Sequence, residues 1–118
     1  MNARMHLSHA HGARIPDDGE RLTVAAEVLA LLADRTRLAL LARLSEGEAD
    51  VTTLTAACDA ARPSVSQHLA RLRLAGLVTT RKEGRRVVYA LGHGHLRRLV
   101  EEALSVADHR IGRLPPHD

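Results

Sequence analysis

At Gly76 the spacing of apolar residues changes period, and that change limits the chain to few folds. Upstream, in PSVSQHLARLRLAG (63–76), Val65, Leu69 and Leu72 recur at i, i+4 and i+7, the spacing of one buried helical stripe. Downstream, LVTTRK (77–82) and RRVVYAL (85–91) are β-rich and flank Glu83-Gly84. That pattern predicts a hairpin with a short glycine-containing turn. A helix running directly into a basic hairpin is a supersecondary unit, and the rest of the chain must pack around it.

Everything else reads as helix. Residues 20–33 carry one stripe of Leu22, Ala25, Leu29 and Leu32 and a second of Val24, Val28 and Leu31. A helix apolar on two sides needs two partners, here its own core and a second subunit. Asp34 is a good N-cap for a helix over 35–46, with Leu38, Leu41 and Leu44 inward and Gly47 ending it. Asp50 caps a short helix through Cys58, with Leu54 and Ala57 buried. Pro63 suits the first turn of the next helix, which runs to about Ala75. The last helix spans about 93–110, with Leu96, Leu99, Val100, Ala103 and Ala107 inward, and Gly112, Pro115 and Pro116 terminate it. The expected fold is mainly α with a small β-hairpin, a winged helix-turn-helix dimerising through its first and last helices. It divides into an N-terminal arm (1–19), the folded domain (20–112) and a C-terminal tail (113–118).

Composition supports this reading. With one Tyr, no Phe and no Trp among 118 residues, the core must be built from Leu, Val and Ala, which favours closely packed helices. A core so poor in large side chains is often completed by a second copy. A single Cys excludes an internal disulfide framework and suits a reducing compartment. No apolar run reaches membrane-spanning length and no signal-peptide core opens the chain, so a soluble cytoplasmic protein with no membrane partner is expected. Enzyme motifs are missing: there is no H-E-x-x-H, nucleophile elbow, P-loop or Gly-rich dinucleotide loop. The formal charge of +3 is a mild bias towards polyanions.

The helix at 63–76 is the candidate DNA reader. Helical phase sets Ser64, Gln67, His68 and Arg71 opposite the apolar stripe, with Ser66 between the faces. Hydroxyl, amide, imidazole and guanidinium groups are the types that reach base edges and phosphates. Arg81, Lys82, Arg85 and Arg86 cluster at the hairpin tip, as expected of a wing touching phosphates or the minor groove.

LLADRTRLALLARL (31–44), RPSVSQHLARLRLAGLV (62–78) and RKEGRRVVYAL (81–91) together resemble the ArsR/SmtB family of metal-sensing transcriptional regulators, over about residues 20–112. The resemblance implies a homodimeric winged-helix protein on double-stranded operator DNA, usually a repressor released by metal. It also implies that Ser64, Ser66, Gln67, His68 and Arg71 face the operator and that 81–86 forms the wing.

Two metal sites are usual in the family. At the thiolate site this chain reads Asp50-Val51-Thr52, without cysteine, and Cys58 reads as a buried small hydrophobe. At the last-helix site the positions are His93, His95, Val106 and His109, where a His replaces an Asp and Val106 replaces a His. His95 and His109 stand 14 residues apart, roughly 21 Å along a helix but within about 40° of one face. One helix cannot bring them to one ion; two copies packed antiparallel can. Similarity to the family's nickel/cobalt sensors adds Asp108, His117 and Asp118, while His6, His9 and His11 on the arm match sensors that recruit the N-terminus. Imidazole and carboxylate donors without thiolate suit Ni(II) or Co(II), with Zn(II) as the alternative. The reading is therefore a metal-responsive DNA-binding regulator. Val106 leaves open a second one, in which the metal site is degraded and sensing comes from an additional regulatory protein.

Overall fold

A computed structural model describes residue 15 and residues 17–112. The expected arm and tail, with His6, His9, His11, His117 and Asp118, lie outside the described residues apart from Ile15 and 17–19. The chain divides into two units, the first ending at Ala30 and the second beginning at Leu31.

Helix α1 (Asp18–Leu32) supplies the described part of the first unit. Asp17 starts it by accepting a hydrogen bond from the Glu20 backbone N–H at 2.7 Å. Three large apolar side chains of this helix stand open to solvent: Leu22, Val24 and Leu29 are 70, 51 and 53% exposed.

The second unit contains α2 (Arg35–Ser45), β1 (Ala49–Asp50), α3 (Val51–Ala56), α4 (Arg62–Leu74), β2 (Val78–Glu83), β3 (Arg86–Leu91) and α5 (Gly94–Arg110). Caps fix its helix starts. The Asp34 carboxylate accepts from the Arg37 N–H at 2.9 Å, and Asp50 accepts from the Thr53 N–H at 2.9 Å. These bonds to backbone donors hold both carboxyls below their ordinary range, Asp50 at about 2, where Arg86 contributes as well. A depressed folded-state pKa gives stability that is present above the unfolded value of 3.8 and is lost as pH falls through the folded one. The thermal midpoint should therefore fall between about pH 4 and about pH 2. Asp50→Ala should lower the midpoint at pH 7 by about 5 °C and flatten that acid limb. Thermal melts at stepped pH check this, and an acid limb unchanged in the variant would deny Asp50 its part.

Leu40, Leu41, Leu44, Leu54, Val65, Leu69, Leu72, Val78, Leu96 and Val100 are the largest fully buried side chains. They knit α2 to α4 and α5, α3 to α4, and α4 to β2. Five inward assignments, on three helices, are corrected. On α2, Leu40 is buried and Leu38 only half so. Ala57 is exposed, because α3 stops at Ala56, two residues short of the expected Cys58. On α5 only Leu96 and Val100 are buried, while Leu99, Ala103 and Ala107 are exposed.

The sheet is antiparallel in the order β1-β3-β2. Glu83 pairs with Arg86, which makes Gly84-Arg85 the two-residue turn, one residue later than expected. Gly84 alone of the two has a positive φ, 63°, as a type II′ turn requires at its first central position. Strand β1 was not expected; it adds Ala49 opposite Tyr89 and Asp50 opposite Val88. At the other end of the hairpin Gly92 donates to the Leu77 carbonyl at 2.9 Å. A Cβ at Gly92 would lie 2.8 Å from the Gly76 carbonyl oxygen, so only glycine fits this close approach of two backbones. Among the described residues no helix is long and apolar enough to cross a membrane.

Candidate functional site

Helix α4 begins at Ala61, which is extended and makes no side-chain cap, with Pro63 in the first turn. Arg62 reaches back to the Thr52 hydroxyl at 3.4 Å, tying the start of α4 to α3. Val65, Leu69 and Leu72 are buried, as their spacing predicts. Ser66, Gln67 and Arg71 are exposed and Ser64 is half-buried. With roughly 100° per residue, Pro63, Gln67, Ala70 and Leu74 point directly away from the core. Ser64 and Arg71 form one flank of that face, Ser66 and Arg73 the other. Arg73 was missed by the sequence reading, although it stands seven residues after Ser66 and shares its phase. Leu74 is 90% exposed at the end of the same face.

His68 is a correction to the sequence reading. It is turned towards α2 and leaves the outward face to the other four residues. Its Nδ1 accepts from Arg37 Nη1 at 3.2 Å, and its Nε2 lies 4.0 Å from the Asp34 carboxylate. A guanidinium only donates, so this imidazole accepts at Nδ1 and carries its proton at Nε2, on the Asp34 side. Arg37 is the one charged side chain buried among the described residues, at 8% exposure, and its Nε donates to the Leu31 carbonyl at 2.6 Å. His68 sits roughly 60° from the Val65 direction on the helical wheel, beside the buried stripe. A polar residue at that angle meets the neighbouring helix.

The wing cations divide into two pairs. Arg81 donates to Glu48 and to Glu83, both at 2.7 Å. Arg86 donates to Asp50 at 3.0 Å and to Glu83 at 2.9 Å. Among the described residues no acidic side chain pairs with Lys82, near the end of β2, or with Arg85, in the turn.

The metal-type donors lie at the two ends of α5. His93 is the N-cap residue, and its ring centroid is 5.8 Å from that of His95. Arg98 Nη2 contacts His95 Nδ1 at 2.6 Å, leaving Nε2 as the outward nitrogen. Asp108 and His109 are half-buried in the last turn. Within one chain no three His, Cys, Asp or Glu among the described residues gather closely enough to hold an ion. Between the two ends α5 exposes Leu99, Leu104 and Val106, at 37, 40 and 57%. Cys58 lies outside α5. It follows the end of α3, its thiol pointing at the Leu54 carbonyl at 3.4 Å, and burial pushes its pKa up. A protonated, backbone-bonded thiol is a poor metal ligand.

Two short helices, α3 and α4, followed by a basic hairpin define a winged helix-turn-helix, the architecture of a DNA-binding regulator and not of an enzyme. The family model described as bacterial regulatory protein, arsR family, matches residues 34–80. The transcriptional regulator KmtR of Mycobacterium tuberculosis is 41% identical over 103 residues, 87% of this chain and 78% of that protein. The solution structure of apo-NmtR, a regulator of the same organism, superposes with a TM-score of 0.69 at 33% identity, covering 90% of both chains. The homodimeric winged helix-turn-helix DNA-binding domain of Mb0332 from Mycobacterium bovis gives a TM-score of 0.73 at 28% identity, covering 90% of this chain and 98% of that one. The chain belongs to the arsR family of bacterial transcription regulators.

Proposed function

We propose that the protein is a homodimeric, metal-responsive repressor, with nickel or cobalt as the preferred ion and zinc as the competitor. The observation that carries this reading is the layout of α5. Donors stand at both ends of one helix, with exposed Leu99, Leu104 and Val106 between them. Two copies of α5 packed antiparallel can bury Leu99 and Val106, seven residues apart on the face shared with His95 and His109, and bring His95 of one chain towards Asp108 and His109 of the other, giving two symmetric sites per dimer. The exposed Leu22, Val24 and Leu29 of α1 offer the dimer a second apolar surface. The donor set fits the ion: imidazoles and a carboxylate without thiolate suit nickel, cobalt or zinc, and His93 and His117 are the further donors proposed to bring the site beyond four. Arg98 must swing off His95 for that imidazole to ligate, since a ligating Nε2 places the ring proton on Nδ1. When bound, the ion supplies a cross-link between subunits. For occupancy to change a hundredfold, the coupling need only be about 2.7 kcal/mol.

On the DNA side, Ser64, Ser66, Gln67, Arg71 and Arg73 are proposed to meet the operator, with Lys82 and Arg85 of the wing on phosphates. Arg71→Ala and Arg73→Ala should each lower affinity at low salt about tenfold and reduce the slope of log K against log salt by about 1 per chain. Unchanged slopes in both would move the phosphate contacts elsewhere.

The reading as a whole is tested by titrating the purified protein with nickel, then measuring binding to the promoter DNA of its own gene with and without the ion. Submicromolar nickel binding that lowers DNA affinity is expected. Binding without any change in DNA affinity, or no binding at all, would exclude direct sensing.

A further inference from the structure

We propose that Glu48 and Glu83, together with Asp50, set the strength of DNA binding by occupying the wing arginines in the free protein. The inference rests on the reading that the wing meets DNA phosphates. Four contacts of 2.7–3.0 Å join Glu48, Arg81, Glu83, Arg86 and Asp50 into one network across all three strands. Glu83 is its bridge: one carboxylate oxygen takes Arg81 and the other takes Arg86. The sheet builds this arrangement. Glu83 pairs with Arg86 across the hairpin, and β1 sets Asp50 beside Val88, two residues from Arg86 on the same face of β3.

Three carboxylates against two guanidiniums leave the network one negative charge in excess. The wing looks like a cluster of four cations in sequence, yet only Lys82 and Arg85 remain outside the network. Each carboxylate takes the N–H donors that a phosphate oxygen would take, since guanidinium offers the same fork to both. The hydrogen bonds to Glu48 and Glu83 raise the Arg81 pKa, and the bond from Arg81 lowers that of Glu83. Both changes are those of groups already satisfied by each other.

The network is built to exchange. Side chains of Arg81, Arg86, Glu48 and Glu83 are 49, 55, 51 and 47% exposed, so their pairs are weak and salt-screened. Asp50 is the sheltered member, at 22%, and is also committed to capping α3. Glu48 and Glu83 are thus the two that can release an arginine to a phosphate. They act on DNA through Arg81 and Arg86, so they are positioning residues for the interface and not contacts.

The test uses the full chain and a mixed-sequence DNA duplex, with affinity followed by fluorescence anisotropy across a salt series. Glu48→Gln should tighten binding about three- to tenfold at low salt and steepen the salt slope by up to about 0.9 per chain. Glu83→Gln should give a gain of the same kind. In an Arg81→Gln background the Glu48→Gln gain should vanish, because there is no guanidinium left to free. A gain of equal size in that background would make it a bulk-charge effect and overturn the inference, as would no gain from either variant. The Lys82→Ala/Arg85→Ala double variant separates the underlying reading. If it binds and responds to salt like the parent, the wing does not touch DNA and both ideas fall. If it weakens binding while Glu48→Gln changes nothing, only the present inference fails.

Discussion

Arg37→Ala is expected to cost the fold about 2–4 kcal/mol, the largest loss from any single charged side chain described here. Arg37 is buried and holds two acceptors at once, the Leu31 carbonyl and His68 Nδ1. Truncation leaves both without their donor in a place that water enters poorly, and removes the packing of the arginine stem. Asp34 keeps its bond to the backbone N–H of residue 37, so α2 keeps its cap and the loss belongs to the side chain alone. Urea unfolding at fixed protein concentration measures the effect, concentration being fixed because a dimer's stability depends on it. Arg37→Lys should recover only part of the loss, because one ammonium does not present two forked donors along the same directions. A cost below about 1 kcal/mol for Arg37→Ala would mean that water replaces the guanidinium.

His109→Ala is expected to weaken nickel binding at least about 100-fold, since even the indirect supports of a metal ligand are worth 10–100-fold. Affinity for DNA without metal should stay within about twofold, because His109 lies in the last turn of α5 while the residues proposed to face the operator are on α4. His95→Ala should do the same, and a mixed dimer of the two variants should regain one of its two sites, the one built from the intact end of each chain. Isothermal titration of each variant and of the mixture reads this directly. Full nickel affinity in His109→Ala would remove that residue from the site, and no recovery in the mixture would deny that the sites span subunits. Cys58→Ser should leave nickel affinity unchanged.

Helix limits were legible because their signals are local. Asp34, Asp50 and Pro63 each stand at a helix start, and Gly76 closes α4 with φ 79° while Leu77 bonds back to Leu72. What escaped was whatever depends on distant partners. Strand β1 is two residues long and exists only because β3 lies beside it. The wing arginines read as free charge because Glu48 and Asp50 are 33 and 36 residues away in sequence. His68 looked like a DNA contact because polarity does not distinguish an imidazole facing solvent from one facing Arg37. Ala103 and Ala107 follow the inward phase of α5 yet are exposed, because phase alone does not tell what lies opposite each position. The donors of α5 were legible as a pair of ends; that Arg98 already contacts His95 was not.

Gly92 makes α5 a lever. Its fulcrum is the joint where the Gly92 backbone rests on the carbonyls of Gly76 and Leu77, just past the end of α4. The long arm is α5 itself, roughly 25 Å at 1.5 Å per residue. The short arm is the single step back to Gly76, and the contact there has no side chain to act as a cushion. Any reorientation of α5 would have to be accommodated at this joint and at Leu96 and Val100, which are buried in the core.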